Sequence, residues 1–410
     1  MKEQKILIIA KYATTINEGF ETRTCELAYN IASKGYEVSI ITSDSNHLAV
    51  FPEYSKIYNK KVHLGVTFWW IKTLKYENSG AFKRILSWID FELKCFWLLF
   101  RKPKHDIIIV SSLSLLSILN GIIFKFFWKS KLIFEVRDIW PLTLICEGQF
   151  SKKNPFIIAL DLLEKAGYKY ANHIVGTMPN LIEHVQNQIG NSKLKNISCI
   201  PFGIHREISI INPKEASQQG IRKTKKFRVG YAGSIGITNA LENLIETVCI
   251  TYEQKLDIEF IIIGDGNLKR KFENKTNKCD NVIFTGKIPR NGVQDILSQC
   301  DVLFFSALPS EIWNYGWSPN KLIDYMMSER PIIAAYDGYR SMINEAECGF
   351  FIKAGRTDSI LKELLRLKEM NKNDLNEIGK RGKIWLLKNR TWEKLAEDYI
   401  SIFNSIKPLR

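Results

Sequence analysis

Residues 318–331 read SPNKLIDYMMSERP. Ser318 can cap a helix and Pro319 suits its first position, with Asn320 and Lys321 following in the first turn. Asp324 lies one turn further along the same face. A cation opposes the helix dipole at this end, unless an anion sits there with it. Lys321 beside a bound phosphate, with Asp324 accepting hydrogen bonds from sugar hydroxyls, would hold a nucleotide sugar. The plain alternative is a surface Lys–Asp pair, which contributes only a few tenths of a kcal/mol.

Other stretches carry compatible chemistry. YAGSIGITNALE (231–242) brings Gly233, Ser234 and Gly236, with bare backbone N–H groups, to a helix start, which is a natural diphosphate seat. It is also a near miss for a hydrolase nucleophile elbow. That reading fails because all six histidines precede Ser234, whereas the fold needs one after it. GDGNLKRKF (264–272) and TGKIPRN (285–291) add glycines and cations, among them Gly286, Lys287 and Arg290. TINEGFETR (15–23) offers Gly19, either as a phosphate-approach loop or as a simple connector. EVRDIWP (135–141) puts Arg137 and Asp138 after an apolar run, facing a ligand or paired with each other. No cysteine pair, DxD or His/Asp cluster suggests a metal, so none is expected, and no cofactor either.

These residues need elements to place them. KILIIA, YEVSIITS, DIIIVSS, KLIFEV, HIVGT and ISCIPFG alternate with helical stretches over the first half. FRVGYAG, IEFIIIGDG, NVIFTG, DVLFFSA and RPIIAA restart the series after a polar linker at 212–226. Short strands apolar on both faces, separated by helices, predict parallel sheets covered on both sides. The expected fold is α/β, with two doubly wound Rossmann-like domains facing a central cleft. The expected boundaries are 1–208 and 209–390, with a C-terminal helix over 391–410 packing back on the first domain. Each glycine or charged motif above then falls at a strand's carboxyl end, where open parallel sheets bind ligands.

Together the motifs resemble the retaining GT-B glycosyltransferases of the family-4 group, in the subgroup that builds bacterial surface polysaccharides such as O-antigen or capsule. EVRDIWP, NVIFTGKIP, QCDVLFFSA and YGWSPNKLIDYMMSERPII carry the resemblance, in the family's order along nearly the whole chain. It implies that Gly19 borders the donor phosphates and that Asp138 lies near the transferred sugar. It implies a phosphate loop at Gly233 and Ser234, a base-reading segment at Gly286 and Lys287, and ribose binding by Asp324, the second acid of the family's E-x7-E motif. The first acid of that motif is replaced by Gly316. The family's basic residue after the phosphate loop is also missing; Asn239 stands there, and Lys321 is a candidate substitute. The implied chemistry is metal-independent transfer from a UDP-sugar, with an N-acetylated or deoxy hexosamine as the sugar.

The chain carries 58 Lys and Arg against 43 Asp and Glu, a net charge of +15, which asks for an anionic partner. Residues 68–101 and 115–131 mix Trp and Phe with Lys and Arg. Trp69, Trp70, Lys83, Arg84, Trp88, Trp97 and Arg101 are candidate contacts to an anionic membrane and a polyprenyl-diphosphate-linked acceptor. A core helix with a basic outer face is the alternative. Scattered cysteines and the absence of a signal-like or spanning segment predict a cytoplasmic protein, peripheral at the inner membrane face. Two other classes compete. A nucleotide-sugar 2-epimerase of the same architecture would need no acceptor. A nucleic-acid-binding protein would explain the charge, but no helix-turn-helix, RRM or zinc signature supports it, so no nucleic-acid partner is expected.

Overall fold

Runs such as KILII and VLFFS are buried at nearly every position, as strands covered on both faces must be. In a computed structural model they build two α/β units, residues 1–203 with 392–410 and residues 204–391. The structure describes residues 4–15, 18–19, 22–46, 48, 52, 54–76, 81–191, 196–204 and 224–406. All but the last three residues of the expected linker at 212–226 lie outside these.

The first unit runs β1 (Lys5–Ile9), α1 (Arg23–Ala32), β2 (Glu37–Ser43), β3 (Tyr58–His63), β4 (Val66–Ile71), α2 (Ala81–Phe100) and β5 (Ile107–Ser111). It continues with α3 (Ser117–Trp128), β6 (Lys131–Val136), α4 (Leu142–Cys146), α5 (Pro155–Tyr170), β7 (His173–Gly176), α6 (Leu181–Ile189) and β8 (Ile197–Cys199). Its sheet order is β3-β4-β2-β1-β5-β6-β7-β8, parallel except for β3 against β4. The hairpin β3–β4 is absent from the sequence-based series. β3 reads YNKKVH and is largely exposed, so it lacks the apolar run that marks the inner strands. Trp69 and Trp70 therefore lie on a strand.

The second unit runs β9 (Phe227–Ala232), α7 (Glu242–Glu253), β10 (Ile258–Ile263), α8 (Lys269–Lys275), β11 (Val282–Gly286), α9 (Arg290–Leu297) and β12 (Val302–Ser306). It continues with α10 (Asn320–Met327), β13 (Ile332–Ala335), α11 (Met342–Ala346), β14 (Gly349–Ile352), α12 (Thr357–Lys368) and α13 (Lys372–Asn389). Its six strands are all parallel, in the order β11-β10-β9-β12-β13-β14. Strand β14, GFFI, also escaped the sequence reading, being four residues long and half-exposed.

The chain ends in α14 (Trp392–Ser405), which belongs to the first unit. Its Trp392, Leu395, Tyr399 and Phe403 share a core with Ile6, Ile8 and Ile109. One buried polar knot fixes it there. Tyr399 donates to Glu135 Oε1 at 2.6 Å, and Arg23 pairs with the same oxygen. Arg23 also donates to the carbonyls of Ile200, at 2.6 Å, and Pro201, at 3.3 Å. Burial alone would raise the Glu135 pKa, but the charges of Arg23 and Arg137 and the Tyr399 hydroxyl hold it below its ordinary value. Removing one partner of such a pair leaves an uncompensated buried charge. Glu135→Ala should therefore lower the unfolding free energy by about 3–5 kcal/mol. Tyr399→Phe should lower it by only about 1 kcal/mol. Urea unfolding of both variants checks the order.

Candidate active site

In the second unit, β9 and β12 are neighbours but pair only at Val229–Val302 and Gly230–Leu303. Tyr325 of α10, fully buried, bridges the strand ends beyond. Its hydroxyl lies 3.1 Å from the carbonyls of both Ala232 and Phe304 and accepts the Ala232 N–H at 2.8 Å. β9 leads into β10 on one side of this gap, and β12 into β13 on the other. The gap is thus the sheet's topological switch point, where open α/β sheets bind ligands.

The loop after β9 crosses its rim. Gly233 has φ +151°, a backbone region glycine favours. Its N–H donates to Ile263 O at 3.0 Å, and the Ile235 N–H to Asp265 O at 2.8 Å. The Gly233 N–H is therefore not free for an anion, contrary to the sequence reading; it fastens the loop to the end of β10. The N–H groups of Ser234 and Gly236 have no partner among the described residues. A Cβ on Gly264 would fall 1.9 Å from Gly233 O, and one on Gly266 2.2 Å from Ile235 O. The glycines of GDGNLKRKF thus permit close contact between two loops. Gly264 N–H donates in turn to Gly286 O at 2.9 Å, adding the end of β11 to the stack.

Lys321 reaches this loop from α10. Its Nζ would lie 3.2 Å from a Cβ on Gly233. It donates to Asn239 Oδ1 and, at 3.4 Å, to the Tyr231 hydroxyl. Asn239 Nδ2 donates to Ser234 Oγ at 3.0 Å, and the Tyr231 hydroxyl to Ser234 O at 2.8 Å. No carboxylate among the described residues is within ion-pair reach of Lys321. Burial lowers its pKa to about 8. The surface Lys–Asp pair is thereby overturned. Asp324 instead accepts from Gln294 Nε2 at 3.4 Å, its backbone carbonyl accepting from the same group at 2.9 Å.

The helix start also differs from expectation. Pro319, extended at φ −74° and ψ 143°, is itself the cap position of α10 and supplies no side-chain bond. Ser318 is one residue too early to cap, and its buried hydroxyl has no partner. Asn320 is exposed at the first helical position, Lys287 is exposed beside Gly286, and Arg290's side chain lies outside the described residues. An uncapped helix start, a desolvated ammonium and two loop N–H groups without partners among the described residues are each suited to an anion. Gly316, which replaces the family's first acid, has φ +88° after the turn Glu311–Tyr315, so the backbone disfavours any larger residue there. Tyr231 and Tyr325 were missed as site-builders; Gly264 and Gly266 were noted within their motif, but not their role in admitting the neighbouring loop. The only signal for Tyr325 was its place one turn after Lys321.

In the first unit, Gly19 bridges to Leu48, and a Cβ on it would lie 2.6 Å from Thr14 Cγ2. Arg137 follows β6. Its N–H donates to Ser112 Oγ at 2.9 Å, and its guanidinium stacks 4.8 Å from the Phe202 ring centroid. Asp138 is solvent-accessible, but the chain crowds its carboxyl; desolvation raises its pKa, opposed by the Arg137 charge. Two membrane candidates are corrected. Trp70 is fully buried in β4, since alternate strand residues face opposite sides. Trp88 is buried and donates to the Tyr12 hydroxyl at 2.7 Å. It lies nine residues before Trp97, half a turn out of phase at about 100° per residue. Trp97, Lys83, Arg84 and Arg101 are exposed, while Trp69 is half-buried with the Lys102 ammonium 3.1 Å from its ring centroid. Among the described residues no three His, Cys, Asp or Glu side chains gather to hold a metal, and no helix is long and apolar enough to cross a membrane.

If the Tyr325 hydroxyl holds the switch point open, Tyr325→Phe should leave the Ala232 N–H unpaired. The second unit should then lose about 1–3 kcal/mol of unfolding free energy. Hydrogen exchange should rise at 232–236 while the first unit is unaffected.

Residues 226–369 match the family described as Glycosyl transferases group 1. No curated protein matches the chain in sequence. Among solved structures, sucrose-phosphate synthase from Thermosynechococcus elongatus superposes with a TM-score of 0.75 at 15% identity, covering 98% of this chain and 99% of that one. Anabaena HepE in complex with UDP and glucose gives 0.65 at 12%, covering 98% and 100%. WaaG, a glycosyltransferase involved in lipopolysaccharide biosynthesis, gives 0.63 at 15%, covering 97% and 99%. At these identities the structural likeness speaks for the fold, two α/β domains of the GT-B kind. With the group 1 match over most of the second unit, it supports the class of enzyme: a glycosyltransferase.

Proposed function

We propose that the protein is a retaining glycosyltransferase of the family-4 kind that moves a sugar from a UDP-sugar to a lipid-linked saccharide. The product would serve a surface polysaccharide such as O-antigen or capsule, made at the inner face of a membrane. One observation carries the donor half: the half-buried, desolvated Lys321 ammonium, held against the Gly233–Ser234 loop by Asn239 and Tyr231 with no carboxylate in reach among the described residues. Dipoles stabilise a desolvated cation poorly, and a diphosphate would complete it. The UDP held by the Anabaena HepE structure favours uridine as the base. Asp324 binds the ribose in this reading, and Asp138 serves the sugar being transferred. As the bond from the anomeric carbon to the diphosphate breaks, Lys321 and the free loop N–H groups stabilise the leaving charge. The new bond to the acceptor oxygen forms on the same face, and the acceptor proton passes to the departing phosphate. No protein base is needed and no metal is invoked.

Thermal unfolding with UDP, GDP or ADP tests this. UDP at about 100 times its dissociation constant should stabilise by about 2.7 kcal/mol. Lys321→Met should weaken UDP binding about 10- to 100-fold, the loss of a charge-assisted contact. The sign of the pH dependence follows from the lowered pKa of about 8. The ammonium is present below that value and lost above it, so UDP affinity should fall as pH rises from about 7 to about 9.5. Lys321→Met should be flat over that window. No nucleotide response in the parent protein would overturn the donor assignment.

A further inference from the structure

We infer that α2, α3 and α5 together form a docking face for an anionic lipid bilayer. The inference extends the lipid-linked acceptor reading above and rests on it for the presence of a membrane, but not on the donor site. The three helices pack side by side in the first unit. The outer surface of such a layer is ordinarily polar. Here α2 exposes Ile89, Leu93, Trp97 and Phe100, spaced four, four and three residues apart, a single stripe. Ile123, Phe126 and Phe127 make a second stripe on α3. Ile158 and Leu162 make a third on α5. Leu93, Phe126 and Phe127 are each 61% exposed and Trp97 56%.

The stripes join. Phe100 and Phe127 bring their ring centroids within 5.8 Å, linking α2 to α3, and Phe126 and Tyr170 lie 6.1 Å apart, linking α3 to α5. Continuity distinguishes an interaction face from the scattered apolar residues of any surface. The sequence reading had assigned the lipid contact to Trp69, Trp70, Lys83, Arg84, Trp88, Trp97 and Arg101; of these Trp70 and Trp88 are buried, and α5 was not considered.

Charge selects the occupant. Residues 81–131 hold nine Lys and Arg against three acids. Of those acids Glu92 is half-buried and accepts from Ser114, Ser117 and Asn120, and Asp90 pairs with Lys94 at 2.8 Å. Lys83, Arg84, Arg101, Lys129 and Lys169 are exposed on the same three helices or just beyond their ends. An apolar face rimmed by cations matches acyl chains beneath anionic headgroups, with the long basic side chains reaching up to the phosphates. A second copy on this face would bring like charges together across a two-fold axis.

The test is co-sedimentation of the full chain with vesicles of phosphatidylcholine alone or containing about 30% phosphatidylglycerol, an anionic lipid. The parent protein should bind the anionic vesicles at least tenfold more tightly than the neutral ones, and lose that preference in high salt. The variant Leu93→Ser/Trp97→Ser/Phe126→Ser/Phe127→Ser should lose at least tenfold in vesicle binding. It should keep its UDP thermal shift, which reports both an intact fold and a separate donor site. Lys83→Glu/Arg84→Glu/Arg101→Glu tests the electrostatic half without touching the apolar stripes and should lose the anionic preference. Equal binding by parent and apolar variant, or no vesicle binding by a parent that still responds to UDP, would overturn the inference. Self-association abolished by the apolar variant, without vesicle binding, would reassign the face to a homodimer. A missing UDP response alongside normal vesicle binding would fault only the donor site.

Discussion

The second unit depends on one hydroxyl. Tyr325 is wholly buried and stands between the carbonyls of Ala232 and Phe304, where β9 and β12 cease to pair. Parallel strands that diverge leave backbone groups without ladder partners, and a buried unpaired amide is costly. Tyr325 accepts the Ala232 N–H and offers its one proton to either carbonyl, and so lets the switch point stay open. Because it belongs to α10, the same bond positions that helix. Lys321, one turn earlier, is thereby delivered to the loop that leaves β9. Ser306 donates to Asn239 O at 2.6 Å, tying the far side of that loop to the end of β12.

Two desolvated lysines, Lys11 and Lys321, show why this matters. Lys11, just after β1, has its pKa lowered to about 7 by burial, against the raising effect of Glu92, Asp44 and Asp90. It donates to Ser45 O at 2.9 Å and Ser87 Oγ at 3.3 Å. Three carboxylates thus act on it through the field, though none pairs with it directly, and a structural role accounts for it. Lys321 is comparably desolvated, but its partners are an amide and a phenol. A desolvated cation beside unpartnered N–H groups, without a counter-charge among the described residues, is suited to an anion that arrives from outside.

Fold class was legible because the inner strands are short and apolar on both faces. What escaped was strand character without that signal, in the polar edge strand β3 and the four-residue β14. The glycine and lysine motifs were legible as chemistry because their types are unusual at strand ends and helix starts. Their contacts were not. That Gly264 and Gly266 exist to admit Gly233 O and Ile235 O is a fact of two loops remote in sequence. Trp88 and Trp97 look alike in composition, and only helical phase separates the core residue from the surface one. Asn239 first looked like a missing cation; in the fold it couples Lys321 to Ser234.

The central claim is that the Lys321 ammonium receives the donor diphosphate. The most direct measurement is NMR of the protein labelled at lysine Cε, with Lys321→Gln to assign the resonance, titrated with base in the presence and absence of UDP. The account predicts that Lys321 titrates near pH 8 in the free protein and that UDP moves the titration clearly upward, as a bound anion must. A Lys321 resonance that titrates at the same pH with UDP bound would contradict it.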